Sequence, residues 1–269
     1  MRVPFFCMKN SVIPNKNDPP RIRWEKSPKK SVKMIFVIGN GNSRKNINLN
    51  ILKKYGKIIG CNALYRDFTP DHLFTNDCKI LHEIISSQYP KNNEVFLLQS
   101  EIEFLPSELY LNIKMGLNNV NENEKKDSIE FMVHGTEEET FITWIPKNHK
   151  IKITPWTDSN RFYNTGFNAC RLACELYSND EIYMIGFDIF GDRNNMYDGS
   201  NGYYSPDTPH HEEQSWISIF NQLPSLYPDI NITRVIDNQT TLEKIPSITY
   251  EELCQRTQIN QKILITSTQ

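Results

Sequence analysis

The chain has 269 residues, 38% of them hydrophobic and 11% aromatic, and a formal net charge of −2. That is enough apolar material for one large α/β domain or two small ones with a real core. No run approaches the ~20 apolar residues of a membrane-spanning helix, and the apolar residues of Val3–Met8 are too few for a signal peptide, so a soluble cytoplasmic protein is expected.

Residues 1–31 read as a basic, proline-rich arm. Its first 30 residues hold eight Lys or Arg against Asp18 and Glu25, a net +6, which leaves −8 for the remainder. Pro4, Pro14, Pro19, Pro20 and Pro28 interrupt it and no periodicity is sustained, so an extended lead-in that adds little to the fold is expected. The arm suits a nucleic-acid, membrane-surface or assembly contact, including one within a homo-oligomer; the alternative is a solvated tail.

Met34 to Ile38 is a continuous apolar run, too short for a helix and ended by Gly39, Asn40 and Gly41. Such a run is what a strand covered on both faces of a parallel sheet looks like. Gly39 and Gly41 suit a tight turn, and Ser43 is placed to cap a helix carrying Ile47, Leu49 and Leu52. A strand feeding a helix through a glycine turn offers N–H groups and a positive helix end to phosphate; otherwise it is only a turn.

Lys57 to Asn62 predicts a second strand with Asn62 at its carboxyl end, about where a dinucleotide fold places a ribose-binding carboxylate. An amide there, and Gly-x-Gly-x-Ser in place of Gly-x-Gly-x-x-Gly, argue against NAD; a structural Asn in a turn is the alternative. Pro70 to Asp77 predicts a third strand that carries Asn76 and Asp77 to the same crevice, with His72 at its far end in a structural role. Glu94 to Gln99 predicts a fourth, and the polar interval 106–150 reads as an insertion or lid.

Ala169, Leu172, Ala173 and Leu176 stand at helical spacing behind Asn164-Thr165-Gly166, which makes Thr165 the expected N-cap and the helix start a second anion site. The strand Glu181 to Ile185 follows and ends in Gly186-Phe187-Asp188. The six cysteines include no Cys-x-x-Cys pair and read as buried small hydrophobes. A helix with Trp216, Ile219, Phe220 and Leu223 and a strand from Ile230 to Ile236 complete the domain at 32–236, and 237–269 reads as a polar tail with one short helix near 248–256.

These segments carry a resemblance. Ile38 to Ser43, Cys61-Asn62, Asn164-Thr165-Gly166 and Glu181 to Asp188, in order and spacing over about 34–235, resemble the bacterial lipooligosaccharide sialyltransferases that use CMP-sialic acid, and are similar too to uncharacterised bacterial and phage proteins. The resemblance implies a doubly wound, Rossmann-like α/β fold with a mainly parallel sheet and a lid at about 190–211. It implies a metal-independent transfer of a sugar from a CMP-type nucleotide sugar to a glycan hydroxyl, the donor being a substrate and no cofactor being needed. Gly39, Asn40, Gly41, Ser43, Asn62, Asn76, Thr165, Gly166, Gly186 and Asp188 would surround the CMP moiety.

The family's phosphate-binding Tyr two residues after its Gly-x-Asp motif is Phe190 here, and Tyr197 stands where the second such Tyr is expected. The family's base is a lid histidine, matched by His210 with His211 beside it and Glu212 or Glu213 to orient it. N-capping of the following helix is the other role open to these histidines, and a metal site of His210, His211, Glu212 and Asp188 lacks ligands at regular spacing. The alternative to an enzyme is a non-catalytic structural or interaction protein, such as a virion component, that keeps the sheet.

Overall fold

The computed structural model describes residues 34–98, 128–135, 140–154, 156, 163–178, 180–189, 195–203, 205, 213–237 and 242–265. The basic arm, Phe190, His210, His211 and Glu212 lie outside the described residues, as does much of the expected lid.

The strands are β1 (Met34–Ile38), β2 (Lys57–Cys61), β3 (His72–Thr75), β4 (Val95–Leu98), β5 (Ser128–Gly135), β6 (Thr140–Pro146), β7 (Ile151–Thr154), β8 (Glu181–Ile185), β9 (Ile232–Val235) and β10 (Ser247–Ile248). The helices are α1 (Leu49–Tyr55), α2 (Cys78–Ser86), α3 (Thr165–Leu176), α4 (Glu213–Phe220), α5 (Leu223–Leu226), α6 (Tyr250–Thr257) and α7 (Gln261–Leu264). Eight strands form one sheet in the order β10-β9-β8-β1-β2-β3-β4-β7, with every pairing parallel. The doubly wound α/β class is therefore present, with β1 at the centre.

Alternation along β1 shows why its sequence is apolar throughout. Phe36 and Ile38 pack with Leu52 of α1, Ile80 of α2 and Leu253 of α6, while Ile35 and Val37 pack with Phe167 of α3 and Phe220 of α4. Both faces are covered, so neither register position can be polar. Cys61, Cys170, Cys174 and Cys254 are buried free thiols, as small hydrophobes should be; burial pushes the Cys61 thiol up to about 12.

Three regions differ from the sequence reading. The interval 106–150 contains a hairpin, β5 with β6, paired antiparallel apart from the main sheet, and it is followed by the unanticipated edge strand β7. The polar tail is part of the fold: β10 extends the sheet beside β9, and Tyr250, Leu253 and Leu264 are buried against it. The first helix is capped by Asn48, whose side chain accepts from Asn50 N, while Ser43 lies in a 3-10 turn at Asn42–Arg44. Ser43 is therefore not its cap.

Candidate functional site

The chain runs outward from β1 through β2, β3 and β4, then returns to the other side of β1 with β8, β9 and β10. Ligands of doubly wound sheets bind where the order reverses, outside the carboxyl ends of the strands, here between β1 and β8. In this protein the two loops at that point bond to each other. Gly39 N donates to Ile185 O at 2.8 Å and Gly41 N to Gly186 O at 2.9 Å.

The Asp188 carboxylate closes the knot. Its Oδ2 accepts from Ser43 N at 2.8 Å and its Oδ1 accepts from the Ser43 hydroxyl. A Cβ on Gly41 would stand 2.4 Å from Asp188 Cγ, so only glycine lets the carboxylate lie over the turn. Gly186, at φ +75, is in the left-handed region, and the aliphatic stem of Arg44 packs on it. Gly39, Gly41, Ser43, Gly186 and Asp188 are thus committed to each other, and the N–H groups of Gly39, Gly41 and Ser43 that the glycine turn promised to phosphate are taken.

Two buried arginines brace the knot. Arg44 Nε donates to Gly39 O at 2.7 Å, and Arg234 Nε to Phe187 O at 3.0 Å. Tyr197 belongs to the same structure: its hydroxyl donates to Asp67 Oδ2 at 2.5 Å and accepts from Arg44 Nη2 at 3.1 Å. Burial, followed by the Asp67 carboxylate, holds this phenol above its ordinary pKa. Its one proton is in use.

The polar opening lies one strand further on, across the ends of β1, β2 and β3. Asn40, buried, donates through Nδ2 to Cys61 O at 3.2 Å. Asn62 stands at φ +46, and its Oδ1 accepts from the buried Thr75 hydroxyl at 2.8 Å, so its Nδ2 is left with no bond among the described residues. Asn76 Nδ2 donates to Tyr163 O at 3.3 Å, which ties the end of β3 to the start of α3. The N-cap of α3 is Asn164 and not Thr165: Asn164 Oδ1 accepts from Phe167 N at 2.8 Å. Thr165 and Gly166 become the first two helical residues, and among the described residues nothing accepts from their N–H groups.

Asp77 is held by α2 through one carboxylate oxygen. Its carboxylate caps α2 by accepting from Lys79 N and Ile80 N, and burial holds its pKa up against those two bonds. His72 is structural, as its place at the amino end of β3 predicted: Nδ1 faces Glu94 at 2.8 Å and Nε2 faces the Tyr177 hydroxyl at 2.8 Å.

No protein-family model matches the sequence, and neither does any curated protein sequence. Among solved structures the chain is similar to the monofunctional α-2,3-sialyltransferase Cst-I from Campylobacter jejuni, with a TM-score of 0.47, 19% identity, and 90% of this chain and 84% of that chain covered. It is similar also to the sialyltransferase CstII from Campylobacter jejuni in complex with cytidine-5'-monophosphate, with a TM-score of 0.40, 17% identity, and 81% and 86% covered.

By their hydrogen bonds the residues expected around a ligand divide between two places. Asn40, Asn62, Asn76, Thr165 and Gly166 gather at the opening, while Gly39, Gly41, Ser43, Gly186, Asp188 and Tyr197 form the knot beside it. His210 lies outside the described residues. Sequence reasoning passed over Arg44 and Arg234. Arg234 left a signal, a lone charge inside the apolar strand Ile232–Val235, where it could only be buried. Among the described residues no group of three or more His, Cys, Asp or Glu is placed to hold a metal ion.

Proposed function

We propose that this chain is a metal-independent, sialyltransferase-like glycosyltransferase that moves a sugar from a CMP-type nucleotide donor to a glycan hydroxyl. One observation carries the reading: three donors at the opening have no acceptor among the described residues. They are Asn62 Nδ2 and the N–H groups of Thr165 and Gly166; of the carboxylates nearby, Asp188 is held by Ser43 and Asp77 caps α2 through Oδ1. A ribose diol of the NAD kind wants a carboxylate, and a phosphate wants donors at the start of a helix. The 12-residue α3 supplies such a start. The choice of cytidine and of a sugar comes from the resemblance of residues 38–43, 61–62, 164–166 and 181–188.

In this reading Asn62 and the start of α3 bind and stabilise the departing nucleotide phosphate, and His210 takes the proton of the acceptor hydroxyl. Tyr197 would join only by exchanging Asp67 for a phosphate oxygen. A second reading, a non-catalytic structural or interaction protein, is supported by Phe190 and by the engaged Tyr197 hydroxyl, which together leave the two expected phosphate-binding phenols unfilled.

A thermal-shift panel of cytidine, uridine, guanosine and adenine nucleotides with NAD separates the readings. CMP or CDP at about 100 times its Kd should add ~2.7 kcal/mol of stability. A shift with NAD and none with CMP overturns the proposal; no shift with any nucleotide leaves the structural role.

A further inference from the structure

Residues 195–203 cross the carboxyl ends of β1 and β2 as a strap. Asn195 bridges to Gly41, Met196 N donates to Asn40 O at 2.8 Å, and Arg66 donates to Ser200 Oγ at 2.8 Å and to Asn201 O at 2.7 Å. The strap ends by placing Tyr203, partly buried, beside the Tyr197 ring at 5.5 Å and under the Arg66 guanidinium at 5.8 Å. Its hydroxyl oxygen accepts from Asn40 Nδ2 at 3.0 Å and from Ala63 N at 3.4 Å. Both partners are donors, so both lone pairs of the oxygen are used and the proton is not. No described residue accepts it.

The neighbouring groups are incomplete in the same place. Asn62, one residue before Ala63, has its Nδ2 uncommitted, and Asn40 Oδ1 is buried with no hydrogen-bond partner among the described residues. A phenol whose acceptor capacity is filled by the protein is fixed as a donor, and its ring packing fixes where that donor stands.

We infer that Tyr203 is a further binding residue for the nucleotide: its O–H donates to an acceptor oxygen of the bound ligand, while its oxygen holds the Asn40 amide in place. The inference rests on the proposed nucleotide site. An acceptor oxygen could belong to the nucleoside or to the phosphate, and the two are separable by experiment.

Tyr203→Phe keeps the ring and deletes the donor. Calorimetric titration with CMP should show Kd raised about tenfold, the loss of one hydrogen bond to a charged or well-oriented acceptor. The same factor with cytidine places the acceptor on the nucleoside; a factor seen with CMP alone places it on the phosphate. Incorporation of a ring-fluorinated tyrosine at 203, a stronger donor of nearly the same shape, should tighten CMP, which a packing role does not predict and which stands as a second test if Tyr203→Phe folds poorly. Wild-type binding of CMP with Kd unchanged in both variants overturns the inference and leaves the nucleotide site standing. Failure of the wild type to bind any nucleotide overturns both.

Discussion

Asp188 and Ser43, 145 residues apart in sequence, share two hydrogen bonds at the point where the sheet reverses its order. A carboxylate therefore occupies the Ser43 N–H, and backbone carbonyls those of Gly39 and Gly41, that a strand–glycine–helix unit would otherwise turn toward a phosphate. If this pair is structural, Asp188→Ala should lower unfolding free energy by about 2–3 kcal/mol and Asp188→Asn by about 1 kcal/mol, since the amide keeps an acceptor but not the charge. Urea unfolding measures this. Nucleotide affinity lost with stability unchanged would instead make Asp188 a ligand-binding group.

Tyr197 gives the parallel case. Tyr197→Phe removes an acceptor from the buried Arg44 guanidinium and a donor from the exposed Asp67. Water can replace the second but not the first, so a cost of about 1–2 kcal/mol is expected with CMP affinity unchanged. A fall in turnover at constant stability would return Tyr197 to the phosphate.

How much was legible follows from these pairs. Met34 to Ile38 declared a buried central strand because both of its faces are covered, and the apolar runs before Asn62 and Asn76 declared the strand ends there, whereas the cap of α3 was read one residue late, at Thr165. Which N–H groups stay open depends on partners far away in sequence, such as Asp188 for Ser43, and no local pattern carries that. Strand β7 was hidden because Lys152 breaks its short apolar run at a sheet edge, where lysine is tolerated and discourages further pairing. Strand β10 has two residues, too few to show a period of 2.

His72 links the fold to pH. Burial holds its imidazole below the ordinary 6.5, with Glu94 and Asp71 pulling the other way, and its two nitrogens face Glu94 and the Tyr177 hydroxyl. The unfolded chain then binds a proton that the folded chain resists, so stability falls as pH drops below about 6.5. Urea midpoints at about pH 7.5 and 5.5 should differ in the wild type and differ less in His72→Gln, with a residual slope from His149, which burial also holds low. Glu94 and Asp71 are carboxylates held below their ordinary values, because Lys152 and Lys57 outweigh burial, and they add a further loss on acidification below about pH 4.5. An equal slope in the variant would remove His72 from the account.

Asn62 combines an unusual backbone with an uncommitted amide. Asn62→Gly should keep the turn, because glycine adopts positive φ freely, while raising the Kd for CMP about tenfold. Asn62→Ala should raise Kd similarly and also cost ~1–2 kcal/mol of stability, the penalty of placing an alanine in the left-handed region. Equal affinity in Asn62→Gly and wild type would mean that the amide serves only Thr75.

Catalysis is tested where the sequence alone speaks. If His210 takes the proton from an acceptor hydroxyl, His210→Ala should reduce transfer ~10²- to 10⁴-fold and leave CMP affinity nearly unchanged, because the base meets the acceptor and not the donor phosphate. Phe190→Tyr should act in the other direction. If residue 190 stands beside the departing phosphate, as the resemblance implies, the added phenol donates where charge develops, so transfer or donor hydrolysis should rise at nearly constant stability. Steady-state rates with CMP-sialic acid measure both. A wild type that neither transfers nor hydrolyses any nucleotide sugar, with rates indifferent to both substitutions, would assign the open donors of Asn62 and α3 to ligand binding without chemistry.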